Sequence, residues 1–259
     1  MRRVNRSNDD FRGVRRALER LLELEKQYPA DAEGQVAVLR YYGSLFSDKY
    51  SIGTELYRFE RDDSMVVTML KSAAHSAILH FSVRCRCPDA YIETDWAYFL
   101  KALLLSVCFC TSRDYRALSR SVGRLALDEP DGTAGCYRIA SSLFGEWVLT
   151  QQVPLQIARE LLDAASRAPD PYVKRCFGSI ASACLDLNNA DHFFACLDRS
   201  LAAHKTECFE GEFQYAPEAC MALPQMALIQ LARHSANALD RVATEYHDYL
   251  PLRLLADLQ

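Results

Sequence analysis

The stretch from Asp95 to Leu127 constrains the fold more than any other part of the chain. In its first half Trp96, Leu100, Leu103, Leu104 and Val107 recur at steps of three and four, so one side of a helix is apolar and can pack on a neighbour. The polar run Cys110-Thr111-Ser112-Arg113-Asp114 interrupts it, and a second apolar stripe on Leu118, Val122 and Leu125 follows. This pattern predicts an αα-hairpin whose turn carries the charged pair Arg113 and Asp114.

The remainder reads as helix after helix. Asn8 or Asp9 begins a segment with Phe11, Val14, Leu18, Leu21 and Leu22, ended by Tyr28-Pro29. Asp31 starts a second through Val36, Leu39, Leu45 and Phe46, with a break expected near Ser51 to Gly53. Asp62 or Asp63 opens a third with Met65, Val66, Met69, Ala73, Ala77 and Phe81, ending by Pro88. Gly132 to Gly135 separates the hairpin from a helix over Tyr137 to Leu149, and Pro154 suits the first turn of a helix carrying Leu155, Ala158, Leu161, Leu162 and Ala165. Tyr172 to Leu187 pairs through Asn188-Asn189 with a helix burying Phe193, Phe194, Leu197 and Leu201, and a last pair spans Leu223 to Leu231 and Ala238 to Tyr246, joined at His234-Ser235.

No run alternates apolar and polar long enough for a sheet, so the class is all-α. Stacked helix pairs such as tetratricopeptide arrays share the rhythm, but the spacing between turns is not constant here. The expected architecture is an irregular multi-helix bundle or short solenoid of αα-hairpins. It forms a single all-helical domain over residues 1–259, with 1–60 supplying the N-terminal helices.

Composition narrows the function. Of 259 residues half are hydrophobic, enough to bury a sizeable core. With 34 acidic and 30 basic residues the net charge is −4, against the many phosphate-neutralising cations of a general nucleic-acid binder. Arg12, Arg16 and Arg20 form a ridge at i, i+4 and i+8, yet Arg15 and Glu19 mix charge on the same surface. The N-terminal arginines precede no apolar run, and Ala102 to Cys110 falls far short of the roughly twenty residues of a membrane span. A cytoplasmic protein with no membrane contact is expected.

The ten cysteines do not follow metal spacing, since Cys85-Arg86-Cys87 and Cys108-Phe109-Cys110 each have one intervening residue. Cys176, Ile180 and Cys184 share a helical stripe, as buried apolar residues would. Neither a Gly-rich phosphate loop, a nucleophile elbow nor a His-Glu-x-x-His helix is present. His247-Asp248 is the dipeptide that supplies two ligands in metal phosphohydrolases, and His204 and His192 could join it, but the further Asp257 lies almost at the terminus and a surface polar pair is the expected reading; His75 and His80, five apart, do not share a helical face. Glu146-Trp147 and Asp95-Trp96 are isolated pairs, not a glycosidase dyad. The reading is of a chain without catalytic residue, metal or cofactor, which binds rather than converts.

A recognition surface is suggested by the segment from Ala203 to Glu218. A helix is expected to end at His204-Lys205, and a loop then interleaves Glu207, Glu210, Glu212 and Glu218 with Phe209, Phe213 and Tyr215. Aromatics can anchor a partner while carboxylates steer a basic one; equally, these aromatics can tuck the loop onto the core.

The Trp96 helix leading to Ser112-Arg113-Asp114, His204-Lys205, the helix Leu223-Pro224-Gln225-Met226-Ala227 and the closing Tyr249-Leu250-Pro251 together resemble the immunity protein 49 family of bacterial polymorphic toxin systems. The likeness covers residues 90–255 in order. It implies an all-helical cytoplasmic antidote that binds a cognate secreted toxin domain tightly and blocks it. Glu207, Phe209, Glu210, Glu212, Phe213 and Tyr215 are the expected contact residues, with Arg113 and Asp114 a second patch or an internal salt bridge. A helical scaffold or adaptor that holds a protein or peptide of its own cell is the alternative, and a concave groove lined by several helices would favour it.

Overall fold

The computed structural model describes residues 35–58, 62–86, 96–125, 132–211, 213, 216–233, 238 and 240–255, with isolated positions 19, 21 and 23. Among these the chain is all-α, with no strand. The helices are α1 (Gln35–Arg58), α2 (Asp63–Arg84), α3 (Trp96–Phe109), α4 (Ser112–Ser119), α5 (Gly132–Thr150), α6 (Leu155–Arg167), α7 (Pro171–Leu185), α8 (Ala190–Glu210) and α9 (Leu223–Leu231). Short 3-10 turns follow at Val122–Arg124, Pro217–Cys220, Thr244–Tyr249 and Leu252–Leu254. Most of the expected N-terminal helix, including Arg12, Arg16 and Arg20, the start at Asp31, Cys87, Asp95 and the turn at His234-Ser235 lie outside the described residues.

Helices α1 and α2 pair antiparallel along their length. The Nδ1 of His80 lies 2.9 Å from the carbonyl of Leu39, Lys49 donates to Ser76 Oγ at 3.3 Å, and Gly53 faces Leu70, so partners descend on one helix as they rise on the other. The break expected at Ser51 to Gly53 does not occur, and α1 runs through it. Gly53 serves the crossing: a Cβ there would lie 2.6 Å from Leu70 Cδ2, so the missing side chain lets the helices close. Asp62 caps α2 by accepting the Ser64 amide at 2.8 Å, as the sequence indicated.

Helix α3 is the centre of the fold. Its apolar character is not confined to one side: Phe99, Leu100 and every residue from Ala102 to Phe109 are buried, because α2, α5 and α9 enclose it. The hairpin's second arm is shorter than the stripe suggested. Helix α4 ends at Ser119, and Val122 and Leu125 continue from a 3-10 turn and its end.

From α5 onward successive helices pack on their neighbours, giving the short stacked array α5–α6–α7–α8. Gly132 and Gly135 do not separate elements but belong to α5, whose first residue Gly132 has φ +54°. Pro154 caps α6. Asp170 caps α7 by accepting the amides of Tyr172 and Val173, and Asn189 caps α8 by accepting that of His192. The predicted pair on either side of Asn188-Asn189 is present, and Phe193, Phe194, Leu197 and Leu201 are buried in it.

The last segment returns to the first. Tyr57 Oη donates to the Asp248 carbonyl at 2.9 Å, and Arg253 bridges to Asp63 at 2.7 Å. One cluster of buried side chains extends from Leu21 to Leu255. Of the nine described cysteines, all unpaired, only Cys85 is not buried, in keeping with core packing.

Candidate functional site

The expected recognition segment divides at Gly211. Helix α8 does not end at His204-Lys205; it continues to Glu210 because Leu201, His204 and Cys208, at steps of three and four, are all buried on one face. The opposite face carries Phe209 outward, 51% exposed and the most exposed large apolar side chain among the described residues, with Glu210 exposed beside it. Glu207 is half-buried, its carboxylate folded over Gly211 where any Cβ would strike it. Glu212 and Tyr215 lie outside the described residues.

Phe213, beyond the helix end, turns inward. It packs edge-on against Tyr172 with centroids 5.0 Å apart and tilts against His204 at 5.7 Å. Of the two outcomes the sequence allowed, Phe209 takes the outward one and Phe213 the inward one. Glu218 also leaves the acidic surface, pairing with Lys101, whose ammonium lies 5.5 Å from the centre of the Tyr50 ring.

These inward residues line a cavity of about 250 Å³, bounded also by Tyr137, Phe177 and Met221. His204 lies in its wall, 1% exposed, with neither ring nitrogen hydrogen-bonded to the described residues. Burial pulls its imidazole down to about 4, so the ring is neutral near pH 7. Nothing in the sequence marked His204 as buried, since the adjoining Lys205 made the pair look like a solvated helix end.

A second feature is a groove of about 460 Å³ between α6, α7 and α8. Leu162, Gly178 and Ala202 form its apolar part, Ser179 adds a hydroxyl, and Lys174, Arg175 and Arg199 supply cations. Sequence reasoning missed it, because those cations come from two helices whose spacing only packing defines.

At the α3–α4 corner Arg113 and Asp114 do not form the internal salt bridge considered for them. Arg113 is exposed; Asp114 turns back as a capping box, its Oδ2 accepting the Thr111 amide at 3.2 Å and hydroxyl at 2.6 Å. The same oxygen lies 3.5 Å from His75 Nε2. Partial burial works to raise the Asp114 carboxyl, but the Thr111 hydrogen bonds and His75 outweigh it and hold it below its usual range. Burial, followed by the adjacent Asp114 charge, pushes the Cys110 thiol up to about 12. His75, Cys110 and Asp114 bring one donor atom each within 4.8 Å of one another. They are the only group of three potential metal-ligating side chains among the described residues, and His247 and Asp248 are not part of one.

The remaining candidates serve locally. His80 is buried, and His247 Nε2 lies 3.1 Å from the Val242 carbonyl. Trp147 is buried beside an exposed Glu146. Among the described residues no helix is long and apolar enough to cross a membrane. No protein-family model, curated protein or solved structure matches the chain.

Proposed function

We propose that the chain is an immunity protein, which binds a cognate secreted bacterial toxin domain and neutralises it by tight association in the cytoplasm. The reading rests on the family resemblance and on one observation above all: the last turns of α8 present Phe209 to solvent beside the Glu210 carboxylate, on a helix fixed by its buried face. An exposed aromatic on a rigid support costs little ordering on binding, and a neighbouring acid steers a basic partner. Such a protein needs no catalytic residue or cofactor of its own, and the toxin's chemistry is left open. Phe209 and Glu210 form the primary contact, Glu207 lies beside them and Phe213 supports the end of α8 from within, while Arg113, exposed at the α3–α4 corner next to the Asp114 cap, is a separate second patch.

Double substitution Phe209→Ala/Glu210→Ala tests the assignment. It weakens toxin binding by about a hundredfold or more if the pair is a hot spot, while the helical circular dichroism is unchanged. Unaltered affinity contradicts the assignment.

The second reading, a scaffold that grips a peptide of its own cell, is favoured by the groove between α6, α7 and α8. Its cations suit an acidic segment. Lys174→Ala/Arg199→Ala separates the two readings: it spares toxin protection if the end of α8 is the contact, and abolishes partner binding if the groove is.

A further inference from the structure

We infer that His75, Cys110 and Asp114 form a binding site for a divalent cation of borderline softness, for which Zn²⁺ is the fitting ion. The three come from different elements: His75 from the middle of α2, Cys110 from just beyond α3 and Asp114 from the first turn of α4. Their donor atoms nevertheless lie within 4.8 Å of one another, close enough for small side-chain rotations to gather them around one ion with bonds of about 2.0–2.3 Å.

The donor chemistry selects the metal. One imidazole nitrogen, one thiol and one carboxylate oxygen make a mixed set that suits zinc, whereas calcium and magnesium take oxygen alone. The surroundings are already ordered for it. Capping holds the carboxylate through Thr111 while leaving further lone pairs for a metal, and an ion would displace the Cys110 proton that now faces the Lys71 carbonyl 3.9 Å away. His75 is partly solvent-exposed, so an ion has a path in.

A Cys-His-Asp constellation can also be read as a nucleophile with its base, but the charges oppose that reading. Burial, and after it the neighbouring Asp114 carboxylate, disfavours the thiolate that attack requires, and the Lys71 charge offsets this only in part. A divalent cation among the three reverses the balance, since every donor then gains. Three protein donors also leave a fourth position for water or for a ligand brought by another molecule.

Titration of the full chain, reduced, with Co²⁺ as a spectroscopic stand-in for Zn²⁺ tests the site. One equivalent binds per chain, with visible ligand-field bands and an ultraviolet thiolate-to-cobalt band, and one equivalent of Zn²⁺ bleaches both. His75→Ala lowers the affinity at least tenfold, and Cys110→Ser removes the thiolate band. As a check that leaves the buried thiol in place, His75→Ala/Asp114→Asn loses stoichiometric binding with its helical circular dichroism retained. Substoichiometric binding, a thiolate band that survives Cys110→Ser, or an affinity indifferent to His75→Ala overturns the inference.

Discussion

Gly53 of α1 and Leu70 of α2 meet so closely that a Cβ on the glycine would lie 2.6 Å from Leu70 Cδ2 and 2.9 Å from its Cγ. Mid-helix glycine ordinarily weakens a helix, and replacing it by alanine gains roughly 0.5–1 kcal/mol. At this crossing the added methyl overpacks a buried contact, which costs about 1–3 kcal/mol. Gly53→Ala therefore destabilises the protein by about 1 kcal/mol net, combining the two effects. Urea unfolding checks this through a lower midpoint at unchanged slope; a raised midpoint would show that Leu70 gives way freely.

Stability also depends on pH through His204. Its imidazole titrates near 4 in the fold and near 6.5 in the unfolded chain, so between these values the unfolded state holds more protons. The contribution of His204 to stability is therefore flat above about pH 6.5 and falls as pH drops towards 4, with a full loss of about 3 kcal/mol. His80, also lowered by burial, adds to the fall in the same direction. The His204 share is isolated as the difference between wild type and His204→Leu: the variant loses less stability between pH 6.5 and pH 4.5. Equal pH dependence in the two proteins refutes the neutral, buried assignment.

Helix capping at the α7–α8 turn is a separate and smaller effect. Asn189 accepts the His192 amide at 3.1 Å, and removing that acceptor exposes an orphan donor. Asn189→Ala lowers stability by about 1 kcal/mol, whereas Asn189→Asp leaves it nearly unchanged. Thermal unfolding of the pair measures this, and equal losses in both variants would assign the effect to packing instead of capping.

Thiol chemistry gives a third, independent view of the core. Among the nine described cysteines, burial shields all but Cys85 and raises thiols such as Cys184 and Cys208, both to about 12. Peptide mapping after brief exposure to an alkylating reagent at neutral pH finds Cys85 modified, with Cys108, Cys136, Cys176, Cys184, Cys196, Cys208 and Cys220 modified only after unfolding. Rapid labelling of Cys176 or Cys184 in the native protein would contradict the packing described for α7.

What the residues alone disclosed, and what they withheld, has a consistent physical origin. Local signals were legible: Asp62 caps where its side chain can reach a free amide, Asn188-Asn189 marks the turn between α7 and α8, and Pro154 stands where a helix can begin. Gly53 misled because a glycine that breaks a helix and a glycine that admits a neighbour look alike in one dimension. Lys205 likewise made His204 look like a solvated helix end, although the Leu201 and Cys208 stripe carries the helix onward. Helix α3 seemed one-sided because counting periodic leucines gives no weight to the run between them. Distance along the chain hid the rest. His75 lies far from Cys110 and Asp114 in sequence, and only the packing of α2 on the α3–α4 corner makes them neighbours. Phe209 and Phe213 are both aromatics in an acidic segment, and the termination of α8 at Gly211 decides which faces out.

In the proposed function Phe209 and Glu210 are the surface that holds and silences a toxin domain. The most direct measurement starts from the tagged full chain purified from its native host, with each co-purifying domain then expressed alone, beside the wild-type chain and beside Phe209→Ala/Glu210→Ala. The account predicts a domain that arrests growth alone, is harmless beside the wild-type chain and is lethal again beside the variant. Absence of any growth-arresting domain, or protection that survives the double substitution, contradicts it.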